Sequence, residues 1–312
     1  MTKTSHYEYV ESFAGLPVFD FTPETESEGL PAPAQVAWRV RLDDFIEEFE
    51  PFQELFSRFL ETVDTTSVGA LIIGNWGATH EVPADRPLAL LTDAAERCPA
   101  LKALFFGEWL QQETEISWIE QGDVTPLFTS FPGLETVVIR GGSGLSLALI
   151  TSSVLHELRL ETGGLPGEVV RALGASDLPA LQTLELWLGV DEYGGSTGLA
   201  DLDPLLRGER FPALRHLGLQ NADFQDGIAA AVASAPVVAQ LESLSLSMGV
   251  LTDEGAEALL SGQPLSHLKR LDLHYHYLSE EMVGRIRAAL PGVDVDLSER
   301  QRDEWRYVAV AE

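Results

Sequence analysis

The sequence predicts an α/β solenoid, a stack of strand–helix repeats closed at its start by a smaller α/β cap. The first observation is one pattern, Leu-x-x-Leu-x-Leu, kept in register over eight segments: VGALII from Val68, LKALFF from Leu101, LETVVI from Leu134, LHELRL from Leu155, LQTLEL from Leu181, LRHLGL from Leu214, LESLSL from Leu241 and LKRLDL from Leu268. Successive starts lie 33, 33, 21, 26, 33, 27 and 27 residues apart. A unit of that size cannot bury its own apolar face and must stack on its neighbours. The second observation is a recurring proline: Pro99, Pro132, Pro179 and Pro212 each stand two residues before a repeat's first leucine. Proline there stops a helix and turns the chain toward extended geometry. Third, 45% of the residues are hydrophobic, enough for a continuous core.

Taken in order, FAGLPVFDF and QVAWRVRL alternate in hydrophobicity and read as strands, joined by the acidic, Pro-rich loop TPETESEGLPAPA. Phe45, Phe49, Phe52, Leu55, Phe56, Phe59, Leu60 and Val63 then fall at helical spacing, with Pro51 in a first turn. This helix is expected to pack as a cap on the open end of the first repeat; a partner-binding helix is the alternative. Within the repeats the leucine segment is the strand, its residues alternating between the core and the concave face. Thr125-Pro126 and Asp203-Pro204 read as helix starts. FQDGIAAAVASA, LTDEGAEALLSG and LSEEMVGRIRAAL read as convex helices, the last capped by Ser279. PGVDVDLS adds a strand with Val293, Val295 and Leu297 inward, and Tyr307 to Val310 are expected to cover the last edge. The boundaries are therefore 1–66 for the cap segment, 67–298 for the solenoid and 299–312 for the tail.

The net charge of −29 argues against nucleic acid or an anionic membrane as partner and leaves room for a basic protein. Most of this charge reads as a solvated exterior. The single cysteine, Cys98, excludes an intrachain disulfide and reads as a buried, inert thiol. No signal peptide and no apolar run of about 18 residues is evident, so a cytoplasmic location is expected. Oligomeric state is not legible, and no resident cofactor or catalytic motif is expected.

The repeats from Leu214 to Leu290 resemble the ribonuclease-inhibitor-like class of leucine-rich repeats, on the segments LRHLGLQNADFQDGIAAAVASA and LESLSLSMGVLTDEGAEALLSG. That resemblance implies a horseshoe with a parallel sheet inside and helices outside. IIGNWG from Ile72, EISWIEQGDVTPL from Glu115 and VIRGGSGLSL from Val138 resemble a family of uncharacterised bacterial cytoplasmic leucine-rich-repeat proteins, with no known activity. One departure stands out. The usual Asn three residues after the last leucine is replaced by Trp76, Trp109, Gly142, Gly163, Gly189, Ala222, Gly249 and His276, and glycine there suggests turns at positive φ.

Stacked strands place equivalent residues ~4.8 Å apart. One outward row reads Ile72, Phe105, Val138, Arg159, Glu185, Gly218, Ser245 and Asp272; the next reads Gly74, Gly107, Arg140, Glu161, Trp187, Gln220, Ser247 and His274. The face thus starts apolar, becomes charged, and ends polar. Trp187 flanked by Arg140 and Arg159, with Glu161, Glu185, Gln220, Asp272 and His274 beside them, is the expected partner-binding patch, accessible to solvent. The apolar start is either part of that surface or covered by the N-terminal segment or the long repeats. The insert at 110–124, with Glu113, Glu115, Trp118, Glu120 and Asp123, reads as a binding loop or as a plug under the sheet. Asp272, His274 and His276, with Asp294 and Asp296 on the next strand, could hold a divalent metal. The function expected is a non-enzymatic protein-interaction scaffold (an inhibitor, adaptor or immunity-like factor), with a metal-dependent hydrolase at Asp272/His274/His276 as the alternative.

Overall fold

Each leucine segment forms a strand, and neighbouring strands pair in parallel with their leucines side by side. The computed structural model describes residues 6–43, 48–79, 81–303 and 305–312. The chain divides into two compact units, 1–148 with 154–157 and 149–153 with 158–312. Both are leucine-rich-repeat arrays in which strand order follows chain order.

In the first unit the hairpin β1 (Ser12–Phe13) and β2 (Leu16–Phe21) leads into β3 (Ala37–Val40), β4 (Ala70–Ile73), β5 (Ala103–Phe106) and β6 (Thr136–Arg140). From β2 onward the pairing is parallel. Phe19 stands beside Trp38, Trp38 beside Leu71, Leu71 beside Leu104, and Leu104 beside Val137. The two strands of the cap therefore keep the repeat register. Helix α1 (Glu50–Thr62) begins with Pro51 in its first turn, as expected, and buries Phe52, Leu55, Phe56 and Phe59. Phe59 meets Trp38 and Phe21 with ring centroids 5.6 and 5.3 Å apart, so the cap is a cluster of aromatics. Phe45 lies outside the described residues. Helices α2 (Asp85–Asp93) and α3 (Thr125–Ser130) complete the unit. Trp76 stacks on Phe106 and meets Trp109 edge-on, both at 5.4 Å. Its Nε1 donates to the Val82 carbonyl, so indoles here fill a corner that an Asn would otherwise tie down.

The second unit carries β7 (Glu157–Glu161), β8 (Thr183–Gly189), β9 (His216–Ala222), β10 (Ser243–Ser245), β11 (Arg270–Asp272) and β12 (Asp294–Asp296). Leu184, Leu217, Leu244, Leu271 and Val295 form one continuous row. The convex elements are α4 (Gly167–Ala175), α5 (Leu199–Arg207), α6 (Gln225–Val232), α7 (Asp253–Ser261) and α8 (Glu280–Ala289). Ser279 caps α8 by accepting from the Met282 amide. α5 starts four residues before Asp203: Asp201 accepts from the Gly198 amide at 2.9 Å, and Pro204 sits inside the helix. The recurrent prolines have a sharper role than helix stops. Leu101, Leu134, Leu181 and Leu214 donate to the carbonyls of Cys98, Phe131, Leu178 and Phe211, so each proline is the second residue of a β-turn, where its fixed φ fits.

Two local expectations change. Of the glycines in the Asn position only Gly189 has a positive φ; Gly142, Gly163 and Gly249 do not. Gly249 is required by space, because a Cβ there would stand 2.2 Å from Gln225 Oε1 and 2.6 Å from the Ala222 carbonyl. Gln225, fully buried, takes the absent Asn's work by accepting from the Ala222 amide and donating to the Leu219 carbonyl. The tail, second, does not cover β12. It runs back over the C-terminal ends of β11, β10 and β9, where Ala309 donates to the Met248 carbonyl and Val310 bonds Asn221.

The leucine row sets the first test. Leu184 is fully buried, and Leu184→Asp places a carboxylate with no partner between two repeats. We expect a loss on the order of 4 kcal/mol in urea-unfolding stability. A variant that unfolds at the parent's midpoint would remove Leu184 from the core.

Candidate protein-binding face

The sheet face turned away from the helices is built differently in the two units. In the first, the alanines Ala37, Ala70 and Ala103 occupy one row and leave a trough, walled by Ile72, Phe105 and Val138. Val10 and Phe13 fill it, with Phe13 6.1 Å from Phe105. The apolar start of the face is thus covered by the N-terminal segment. A buried ion pair fastens that segment. Arg39, in the same outward row as Ile72, gives Nε to Glu108 at 2.5 Å, Nη1 to Asp20 at 2.7 Å and Nη2 to the Val10 carbonyl. Glu108 also accepts the Val10 amide at 2.8 Å, and Tyr9 lies against both Arg39 and Arg41. Burial opposes the charge on Arg39, but the two carboxylates outweigh it and the guanidinium stays ionised. Burial also raises Glu108 toward its neutral form, whereas two N–H donors require acceptor oxygens; the geometry is that of a carboxylate.

Arg140 belongs to this unit. It was expected to be accessible but is 1% exposed, with Nη1 on the Trp109 carbonyl at 2.6 Å and its guanidinium over Phe105. In the insert, Ile116 and Ile119 are buried and Trp118 is 55% exposed.

The second unit's face is polar, and its groups bond one another. Arg159 meets Glu185 at 3.2 Å; Glu185 accepts from or shares a proton with His216 Nε2 at 2.9 Å; His216 Nδ1 lies 2.6 Å from Ser243 Oγ. Burial pushes Glu185 upward, but His216 and Arg159 outweigh it and hold the carboxyl below the usual range. Gln220 donates to Ser245 and Ser247, which lie 2.9 Å apart. The expected exposure of Trp187, Arg159, Glu185, Glu161 and Gln220 is corrected: all are below 9% accessible. Neighbours ~4.8 Å away on adjacent strands shield each side chain, and Arg159 and Glu185 neutralise each other.

Asp272 and His274 are largely enclosed as well, each side chain 13% exposed, but they lie beside the more open Arg270 and Asp294, 42% and 67% exposed. Asp272 Oδ1 accepts both the His274 amide at 3.0 Å and His274 Nδ1 at 2.8 Å. Burial raises the Asp272 carboxyl, and those bonds more than offset it. Arg270 bridges Asp294 at 2.8 Å and Asp296 at 3.0 Å. One ligand atom each from Asp272, His274 and Asp296 comes within 4.8 Å of the others, close enough for a divalent cation. His276 is not among them. Period-two alternation fails because β11 ends at Asp272 and Tyr275 adopts φ +55°, which turns His276 into the core. Its Nδ1 accepts the Leu278 amide and its Nε2 donates to the Leu297 carbonyl. The constellation expected for a hydrolase is therefore split. Arg270, 3.9 Å from Asp272, already supplies these carboxylates with a shared cation. His216, Ser243 and Arg270 belong to a third outward row, two residues after each first leucine, which sequence reasoning passed over.

No protein-family model matches the chain, and no curated protein matches it. Among solved structures, a Bacteroides fragilis protein determined by a structural genomics consortium is 31% identical over 86% of this chain and 77% of that one, with a TM-score of 0.78. A TLR13–ssRNA13 complex (13% identity, 90% of this chain, 35% of that one, TM-score 0.43) and an internalin of Listeria monocytogenes (16%, 84% and 80%, TM-score 0.37) are more distant. Among the described residues no helix is long and apolar enough to cross a membrane.

Two measurements check this site. Trp187→Ala is expected to lower stability by about 3 kcal/mol in chemical unfolding, as for a buried indole; an unchanged midpoint would return Trp187 to the surface. The second concerns pH. Burial depresses His276, and burial with the Arg140 charge takes His6 down to about 4. Both folded values lie below the unfolded value near 6.5, so the unfolded chain binds more protons in that window. Stability is full above about pH 6.5 and falls as pH drops below it. His276→Asn, which keeps one donor and one acceptor, should flatten part of the fall in melting temperature between about pH 7 and pH 5.

Proposed function

This chain belongs to the same family as the Bacteroides fragilis protein, and on that premise we propose that it is a non-enzymatic protein-interaction scaffold, an inhibitor, adaptor or immunity-like factor. The observation that carries the reading is the second unit's polar face. Charged groups at equivalent repeat positions are held there in fixed bonds, from Arg159–Glu185–His216 to Arg270 with Asp272, Asp294 and Asp296. Side chains already fixed by partners lose little entropy on docking, so such a face is preorganised for a complementary surface. The partner contacts are Asp272, His274 and their neighbours Arg270, Asp294 and Asp296. Trp187, Arg159, Glu161, Glu185 and Gln220 support that edge from within and hold its shape, and Arg140 does the same for the first unit. With a net charge of −29, the favoured partner surface is basic.

The test uses the full chain as bait in extract of its native cells, with Asp294→Lys/Asp296→Asn as the comparison. The Asp294 pair is exposed and contributes little to stability, and Asn at 296 keeps an acceptor for the Ser298 amide and hydroxyl, so the variant should melt within about 1 kcal/mol of the parent. We expect the parent to enrich a basic protein, the variant to lose it, and association to slow as salt rises from about 50 to about 300 mM. Equal enrichment by both baits with no salt dependence would move the interface off this edge.

A further inference from the structure

Three residues of the second unit share an unusual backbone. Asn221, Met248 and Tyr275 lie 27 residues apart, each seven after a repeat's first leucine, and have φ of +59°, +68° and +55°. A non-glycine residue there costs on the order of 1 kcal/mol and persists where the surroundings require it. Of the equivalent positions in the first unit, Asn75, Glu108 and Gly141, only Gly141 has a positive φ, +106°, and as a glycine it adopts it without that cost. The second unit therefore keeps side chains where glycine would be relaxed. The segment from Tyr307 to Glu312 lies against all three. Tyr275 Oη donates to the Val308 carbonyl at 3.4 Å, the Met248 carbonyl accepts the Ala309 amide at 2.8 Å, and Asn221 takes both main-chain groups of Val310, Oδ1 from its N–H and Nδ2 to its carbonyl. One residue of the segment is read per repeat. Tyr277 Oη adds a bond from the Tyr307 amide and one to its carbonyl, and Tyr193 holds Glu312. Val308 and Val310 are buried at 6% and 2%, while Tyr307 between solvent and groove is 65% exposed.

These contacts are those of a bound peptide: main chain satisfied by main chain, amide and phenol groups, and alternate β-branched side chains inserted. We propose that the ladder Asn221–Met248–Tyr275 is a peptide-binding site, taking an extended segment with Val-x-Val or a close aliphatic equivalent, and that residues 307–312 occupy it as a built-in competitor. The site is separate from the polar face and stands whether or not that face binds a protein. A tethered segment acts at an effective concentration of order mM, so an external peptide binds the parent chain with its affinity reduced by the occupied fraction.

The experiment uses the full chain and a fluorescein-labelled peptide of sequence 306–312, read by anisotropy. In Val308→Asp/Val310→Asp the resident segment no longer fits. This variant is expected to bind the peptide at least about tenfold more tightly than the parent, and adding Asn221→Ala should abolish the gain. A control peptide with Asp at both valine positions should not bind. The proposal is overturned if the double variant melts cooperatively yet does not bind, or if parent and variant bind equally. Should the variant fail to melt cooperatively, hydrogen exchange in the parent decides. Exchange of the Ala309 and Val310 amides through a local opening supports the site, and exchange only with global unfolding makes the segment a fixed cap.

Discussion

Everything in this molecule depends on keeping leucines side by side on adjacent parallel strands. Leu184, Leu217, Leu244 and Leu271 are each at most 1% exposed, yet none could be buried by its own repeat. Because side chains alternate with period two, a slip of one residue would send that row to the opposite face. The β-turn at Pro99, Pro132, Pro179 and Pro212 sets the phase just before each strand. Insertions between repeats are then tolerated, since only the corner and the strand must align.

A fixed leucine row dictates what the other face must do. Its rows are equally strict in spacing, so like residues fall beside like, and each unit handles this differently. The first unit places alanines in a line and fills the trough with Val10 and Phe13, at the cost of burying Arg39 and Glu108 together. Such a pair adds little net stability but is costly to break from one side, which ties the N-terminal segment to a single seat. The second unit alternates sign and hydrogen-bonding role from strand to strand, so that Arg159, Glu185, His216 and Ser243 satisfy one another. Burial without an unpaired charge is the common outcome.

The strands, the phase of the core and the α1 cap were legible because they follow local periodicity. The polarity change along the face was legible too, but its accessibility was not. Exposure was inferred from the direction of Trp187 and Arg159, whereas burial is decided by neighbours on other strands. Alternation also misled at His276, where Tyr275 at positive φ breaks the period. His216, Ser243 and Arg270 needed only a third row to be read alongside the two chosen. The seats of Val10, Phe13 and Val310 had no signal in the repeat, since each depends on a contact 29 or more residues away along the chain, such as the 89 between Val310 and Asn221.

The closing segment alters how the last repeats behave as a mechanical object. A linear array transmits force only from one repeat to the next, and can peel from an end one unit at a time. Here a single strand of chain is stitched across β11, β10 and β9 in turn, from Tyr275 through Met248 to Asn221. Tension on this segment therefore loads several repeats at once, because Tyr275, Met248, Asn221 and Tyr193, which hold it, belong to different repeats.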